Sequence, residues 1–152
     1  MNDGTNEAAG STIAKLPLAA AVVALGGLVD SVYLTLHHLT SEPVPCSIIA
    51  GCETVLTSKY AEVGGIPLAA FGAAAYFIAF ALAILSAFGN RPTWKLFGVQ
   101  VVIMAVFTGW LLYLQAVVIG AFCQFCLISA LTTFGMLAIF LISRFRTPSL
   151  KR

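Results

Sequence analysis

The chain has 152 residues, of which 60% are hydrophobic and 9% are charged, and its formal net charge is +2. A water-soluble domain of this size needs more polar surface, so the composition excludes that class and predicts a protein of the lipid bilayer. The basic residues flank apolar stretches and form no patch, so the charge pattern gives no support to nucleic acid binding.

The first twelve residues are polar and include Asp3 and Glu7. They offer no apolar surface to offset the entropy cost of ordering, so residues 1–12 are predicted to be a disordered cytoplasmic tail. The following apolar stretch is too long for a signal-peptide core and is expected to remain as the first helix. The membrane domain is then expected over residues 13–145, followed by a basic cytoplasmic tail over residues 146–152.

Four apolar stretches are long enough to cross a hydrocarbon core of about 30 Å at about 1.5 Å per residue. They run roughly from Leu16 to Leu39, Pro67 to Phe88, Leu96 to Ile119 and Cys123 to Ile142. The predicted fold class is therefore an all-α membrane protein, a bundle of four transmembrane helices.

The longest connection, from Thr40 to Gly65, is expected to carry a short extracytoplasmic loop helix. Glu53 to Tyr60 has a partly apolar face and an acidic residue at its start, which favours a helix lying on the membrane surface. Gly64 and Gly65 are expected to end it. The connection before the fourth span is very short and leaves Cys123 at the outer end of that helix.

The basic residues predict the orientation, because Lys and Arg next to a span resist translocation. In a four-span arrangement one side carries Lys15, Arg91, Lys95, Arg144, Arg146, Lys151 and Arg152, and the other carries Lys59. Both termini are therefore expected in the cytoplasm of a cell with an inner membrane, and the long loop on the extracytoplasmic side.

All four cysteines fall on that outer side, where disulfides persist. Cys123 and Cys126 form a C-x-x-C at a helix start, where the helix N-terminus stabilises the thiolate that attacks in exchange reactions. Cys46 and Cys52 lie in a loop with proline and glycine, so their Cα atoms can approach within the roughly 4.4–6.8 Å of a disulfide. Two pairs on one face make an electron relay by thiol–disulfide exchange plausible.

Other interpretations of the cysteines remain open. Inert structural disulfides would explain their even number, although a C-x-x-C closes a small loop that stabilises little. A zinc site is disfavoured because the spacing between Cys46 and Cys52 departs from the usual one, and no metal is predicted. Phe122 and Phe125 give the C-x-x-C an apolar setting that suits a flat lipid-soluble ring, and packing is the alternative for both.

The sequence resembles the vitamin K epoxide reductase family in its short stand-alone prokaryotic form. The resemblance rests on DSVYLTLHHL in the first span, C-x5-C followed by Ser58, GGIPLAAFG opening the second span and CQFC opening the fourth. It implies a four-helix bundle around a quinone, capped by the loop. Cys46 would exchange with a thioredoxin-like partner, Cys52 would pass electrons to Cys123, and Cys126 would reduce the quinone.

The resemblance also implies which residues lie near the quinone, namely Ser58, Leu68, Phe71 and Ala130 in addition to Phe122 and Phe125. Vertebrate members have an asparagine and a tyrosine that hydrogen-bond vitamin K at the positions of Leu68 and Ala130. Their absence makes ubiquinone or menaquinone the expected acceptor and epoxide reduction doubtful. Many prokaryotic relatives carry a fused thioredoxin-like domain, whereas this sequence stops at Arg152, so a separate periplasmic partner is expected.

Several polar residues fall within or beside the spans. Asp30 is a candidate for structural hydrogen bonding or for proton handling, since an ionisable group in a span is costly. His37 and His38 are expected at the outer interface, where either could supply a proton to a quinone. Gln100 and Gln115 are expected to make interhelical hydrogen bonds.

Two other protein classes were weighed against the leading one. The bacterial disulfide-bond-formation (DsbB-type) membrane proteins also have four spans, but they carry the C-x-x-C in the first outer loop, the reverse of the order seen here. A small four-helix transporter with structural disulfides would use a membrane carboxylate such as Asp30, but it has no need of four outer cysteines.

Overall fold

The computed structural model describes residues 4–46, 48 and 51–146, and the side chains from Lys15 onward within those ranges. Helix α1 spans Gly4–Thr40, α2 Cys52–Leu56, α3 Leu68–Ala87, α4 Arg91–Tyr113 and α5 Gln124–Arg146, and a two-stranded sheet pairs β1 (Glu62–Val63) with β2 (Ile66–Pro67). A π-helical segment, Leu114–Ile119, continues α4.

Four of these helices are long and apolar enough to cross a membrane. The segments are Lys15–Thr40, Leu68–Ala87, Arg91–Ile119 and Gln124–Arg146. The predicted fold class, a bundle of four membrane helices, is thereby confirmed. All four agree with the predicted spans to within a few residues at each end.

The N-terminal end differs from the sequence prediction. Helix α1 begins at Gly4, so residues 4–12 are helical where a disordered tail was predicted. Glu7, Ala8 and Ala9 are good helix formers, and a helix that is already fixed in the bundle can extend without a new nucleation step. Residues 1–3 and most of the predicted basic tail, residues 147–152, lie outside the described part of the chain.

The outer loop also differs from its prediction, because α2 ends at Leu56 and not at Tyr60. The Thr57 hydroxyl donates to the Glu53 carbonyl (2.7 Å), and the Ser58 hydroxyl donates to the Val55 carbonyl (2.7 Å). Such side-chain bonds to nearby backbone compete with helix continuation.

Gly64 and Gly65 were predicted to end the loop helix. Instead they form the turn of the hairpin between β1 and β2. Their φ angles are +62° and +81°. Two consecutive residues with positive φ are typical of a tight hairpin turn that matches strand twist, and glycine takes up this conformation without steric cost.

Small side chains allow the spanning helices to approach one another closely. The buried core contains three alanines of α1, two alanines and a tyrosine of α3, three larger side chains of α4 and a methionine of α5. These are Ala20, Ala21, Ala24, Tyr76, Ala79, Ala83, Phe97, Val101, Met104 and Met136. The core therefore occupies the bundle axis, and large apolar side chains such as Val22 and Phe77 point outward.

Tyr76 links three helices at the centre of this core. Its ring lies against Gly27 of α1, where any Cβ atom would fall on the ring. Its hydroxyl donates to the Ser129 carbonyl of α5 (2.6 Å), and the Thr133 hydroxyl lies 2.7 Å away. Because the hydroxyl is held in place, the ring cannot shift to make room at position 27 without losing hydrogen bonds.

We predict that Gly27→Ala destabilises the bundle by about 1–3 kcal/mol, the usual cost of overpacking a buried contact. The measurement is the thermal unfolding midpoint of the purified protein in detergent. Gly26→Ala is the matched control, since a Cβ there meets nothing within 4 Å, and its midpoint should stay the same or rise slightly through helix propensity. Equal midpoints for the two variants would contradict the packing described for Tyr76.

Candidate active site

The structure brings all four cysteines together at one end of the bundle. Cys46 and Cys52 form a disulfide with their Cα atoms 6.2 Å apart, and Cys123 and Cys126 are free thiols. Cys52 and Cys123 are both buried in one apolar cluster with Val55, and Cys46 and Cys126 pack against that cluster. The loop disulfide therefore lies beside the C-x-x-C although the two are separated by two spanning helices in sequence.

The loop is held against the start of α5 by close backbone packing. A Cβ atom on Gly51 would lie 2.5 Å from the Phe122 carbonyl oxygen and 2.9 Å from the Phe122 nitrogen, so only glycine allows this approach. The Ile48 N–H also donates to Oε1 of Gln124, at 3.1 Å. Gln124 is the first of the two residues between the cysteines of the C-x-x-C, so the loop is bonded to the motif itself.

A buried glutamine positions Cys123. Gln115 is 3% exposed in the π-helical segment, and its Oε1 accepts the Cys123 N–H at 3.1 Å. Its carbonyl oxygen accepts the Ala121 N–H at 3.2 Å. Gly120 takes up a φ of +70° between them, which allows the chain to reverse direction within a few residues. Gln115 thus connects the end of one span to the start of the next, in line with the hydrogen-bonding role predicted for it.

Cys123 precedes the α5 span, and its carbonyl oxygen accepts the Leu127 N–H in the first turn of that helix (3.0 Å). A side-chain hydrogen bond from Cys126, aided by the backbone N–H groups of Cys126 and Phe125, lowers the pKa of the Cys123 thiol to about 7. A thiol of low pKa is a good leaving group in disulfide exchange. Cys123 is therefore suited to being released from a mixed disulfide.

A cavity of about 330 Å³ lies between the helices beneath the loop. Its lining is mainly apolar and comes from all four spanning helices, α2 and the hairpin. Cys126, Ser129 and Thr133 line it from one face of α5, whereas Cys123 does not reach it. The volume and the few polar groups in an apolar lining fit a small-molecule pocket, for which about 300–1,000 Å³ is usual. Cys126 is thus the thiol that a bound molecule would meet.

Three of the six residues expected near a quinone line this cavity, namely Ser58, Leu68 and Phe71. Phe122, Phe125 and Ala130 do not line it. Phe122 is 42% exposed at the surface, and the Phe125 ring packs on Tyr33 with centroids 5.4 Å apart. Ala130 is buried in helix packing, one position beyond Ser129 and therefore turned about 100° from the cavity face.

Tyr60, Tyr76, Gln100 and Thr108 also line the cavity and were not assigned to the site from the sequence, whereas His38 was one of two histidines expected to be able to supply a proton to a quinone. His38, Tyr60, Tyr76, Gln100 and Thr108 contribute polar atoms to the lining. Gln100 and Thr108 lie eight residues apart in α4, close to two helical turns, so both fall on one face. Polar residues sharing a face of an apolar span are a signal that sequence reasoning could have used for a cavity.

Asp30 lies apart from the main cavity. It borders a separate cavity with Gly26, Val29, Tyr33 and Phe125. Its Oδ2 atom is buried and has no hydrogen-bond partner among the described residues. Within the same described ranges, no group of three or more His, Cys, Asp and Glu side chains could hold a metal ion.

Comparison with known proteins agrees with this arrangement. The family model described as the vitamin K epoxide reductase family matches residues 18–141. A curated relative, thiol-disulfide oxidoreductase LTO1 from Arabidopsis thaliana, is 32% identical over 118 residues, which is 72% of this chain and 31% of the relative. The chain thus spans about a third of that relative's length. With a family match over most of its length and four membrane helices, this protein belongs to the vitamin K epoxide reductase family.

Proposed function

We propose that this protein is an integral membrane thiol:quinone oxidoreductase, which oxidises the dithiol of a thioredoxin-like partner and reduces a quinone. The observation that carries the proposal is the arrangement of the cysteines. The four sulfur-bearing residues form one cluster, and its innermost member, Cys126, borders an apolar cavity of about 330 Å³. Such an arrangement suits the transfer of electrons from a thiol donor to a lipid-soluble quinone ring.

The first step is exchange between the partner and the loop disulfide. A partner thiolate attacks Cys46, forms a mixed disulfide and releases Cys52 as a thiolate. Cys46 is partly exposed whereas Cys52 is 1% exposed, so a protein partner can reach the first sulfur and not the second. Attack by the partner's second thiolate then completes the oxidation of the partner.

The second step passes the electron pair inward. The released Cys52 thiolate attacks Cys123 in an oxidised Cys123–Cys126 pair, which breaks that disulfide and frees Cys126 on the cavity side. Cys46 then attacks Cys52, and Cys123 leaves as a thiolate, which its pKa of about 7 favours. The products are the Cys46–Cys52 disulfide and two thiols at Cys123 and Cys126, the redox state in which the structure holds them.

The third step moves the electrons to a quinone. Oxidation of Cys123 and Cys126 to a disulfide releases two electrons and two protons, and a quinone that takes up both becomes a quinol. Leu68 lines the cavity but cannot hydrogen-bond a carbonyl, and Ala130 lies outside it. The residues therefore fit a plain quinone, ubiquinone or menaquinone, better than vitamin K epoxide.

We further propose that the cysteine cluster faces the extracytoplasmic side of an inner membrane and that the partner is a separate protein. Lys15, Arg91, Arg144 and Arg146 all lie at the ends of the membrane spans opposite the cysteines, which favours a cytoplasmic location for those ends. The relative's name describes thiol-disulfide chemistry in a longer protein.

We expect Cys126→Ala to reduce quinol formation to the uncatalysed rate when a reduced thioredoxin-like protein and a quinone are supplied in detergent, since the thiol beside the cavity is lost. The assay follows the absorbance change of the quinone. The same variant should still oxidise one equivalent of partner through the intact Cys46–Cys52 disulfide, which controls for folding. Wild-type rates of quinol formation in the variant would contradict the role of Cys126.

Cys52→Ala should distinguish electron transfer from the loop cysteines to the C-x-x-C from reduction of the quinone by Cys126. We expect quinol formation driven by the protein partner to fall to background, whereas a small membrane-permeable dithiol, which reaches the inner pair directly, keeps most of its rate. Cys46→Ala should give the same pattern. If both reductants fail equally in Cys52→Ala, then Cys52 is needed at the inner pair and is not a shuttle.

A further inference from the structure

Reduction of a quinone requires protons as well as electrons, and a path for protons is not supplied by the cysteines alone. The ionisable side chains that line the cavity, among the described residues, are His38 of α1, Tyr60 of the loop, Tyr76 of α3 and Cys126 of α5. The lining residues of α4 include the polar Gln100 and Thr108, which do not titrate. A proton donor to a ligand in this cavity must come from this set or from water.

His38 is the member of this set that also reaches the surface. Its Nε2 lies 2.6 Å from Oε1 of Glu62 in β1, and the two side chains are 23% and 49% exposed. Glu62 pairs with Pro67 across the hairpin, and Pro67 also lines the cavity. The ion pair therefore stands where the outer end of the cavity meets water.

The chemistry of this pair suits proton donation. When the imidazole is protonated, Nε2–H donates to the Glu62 carboxylate, and the second ring nitrogen carries a proton that is available to another acceptor. An imidazole can give up a proton and take one up again, which suits a group that donates in every turnover. By contrast, the Tyr76 hydroxyl already donates to Ser129.

We propose that His38, held by Glu62, donates one of the two protons that convert the quinone into a quinol. This rests on the quinone reduction proposed above. The imidazolium gives a proton to one quinone oxygen and regains it from water beside Glu62. The two protons released by Cys123 and Cys126 balance the two that the quinol takes up, so the overall reaction needs no further reagent. Electrons enter the cavity from α5, and this proton enters from the end of α1.

The decisive measurement is the pH dependence of quinol formation with a small dithiol as reductant, which bypasses the partner. A donor must be protonated to act, so its contribution is present at low pH and is lost as the pH rises. We expect His38→Gln to lower the rate by about 100-fold at low pH, the lower end of the usual range for a lost general acid, and to remove the decline of the rate with rising pH. Glu62→Gln should lower the rate by a smaller factor.

His37→Gln is the matched control. His37 is the preceding residue of α1, its ring lies 4.4 Å from that of Tyr33, and it does not line the main cavity. Its rate and pH profile should equal those of the wild type. Equal losses in the two histidine variants, or an unchanged profile in His38→Gln with only a higher quinone KM, would overturn the proposal, because either result assigns the pair a purely structural role.

A binding experiment tests the same contact without turnover. In the redox-inactive Cys126→Ala chain, we expect a soluble ubiquinone analogue to bind more tightly as the pH falls from 8 to 5.5, because the imidazolium donates to a quinone oxygen. Adding His38→Gln should abolish this pH dependence, and a dependence that persists would overturn the proposal. If the wild-type protein forms no quinol, the proposed function is refuted. The binding experiment tests the contact between His38 and the quinone independently of that result.

Discussion

The site depends on one contact, the packing of the loop at Gly51 onto the backbone of Phe122. Cys52 follows Gly51 and Cys123 follows Phe122, so the approach of these two backbones brings the loop disulfide beside the C-x-x-C. Direct attack of one sulfur on another requires this closeness, since thiol–disulfide exchange has no long-range route. A Cβ on Gly51 would sit 2.5 Å from a backbone oxygen that cannot rotate away. The absence of a side chain at one position thus sets the geometry of the relay.

Hydrogen bonds deeper in the bundle hold the segments that make this contact in place. Gln115 fixes the turn before α5 by accepting the Cys123 N–H through its side chain and the Ala121 N–H through its carbonyl oxygen. Tyr76 joins α1, α3 and α5 at greater depth, where its hydroxyl meets Ser129 and Thr133. Both residues also line the cavity. The groups that hold the helices together are therefore partly the groups that shape the pocket, and a substitution in either would change stability and site together.

The sequence predicted the spans well because hydropathy and length are local properties with a large energetic signal. It also predicted that four cysteines share one side, since the charge pattern and the number of crossings decide that together. The loop was predicted less well. Whether Gly64 and Gly65 end a helix or form a hairpin turn depends on which segments lie beside them, and Thr57 and Ser58 ended α2 early through bonds to its own backbone.

The cavity residues show a similar division. Ser58, Leu68 and Phe71 line the cavity, whereas Phe122, Phe125 and Ala130 do not. Ala130 was assigned from the motif resemblance, and the two phenylalanines from their place beside the cysteines. Nearness along a helix does not decide which face a side chain takes. Cys126, Ser129 and Thr133 follow the helical period and share the cavity face, and Ala130 falls outside it. Counting the period from Cys126 would have replaced Ala130 with Ser129.

In the proposed mechanism, electrons and protons approach the cavity from different elements. The proposed electron route runs through the loop disulfide and α5, and its last thiol, Cys126, lines the cavity. The end of α1 carries His38 at the boundary with water, paired to Glu62. Cys123 is buried and cannot easily exchange protons with bulk solvent, and a histidine cannot carry electrons. Separating the two tasks lets the C-x-x-C lie between the loop and the cavity while the substrate still gains the protons that its reduction requires.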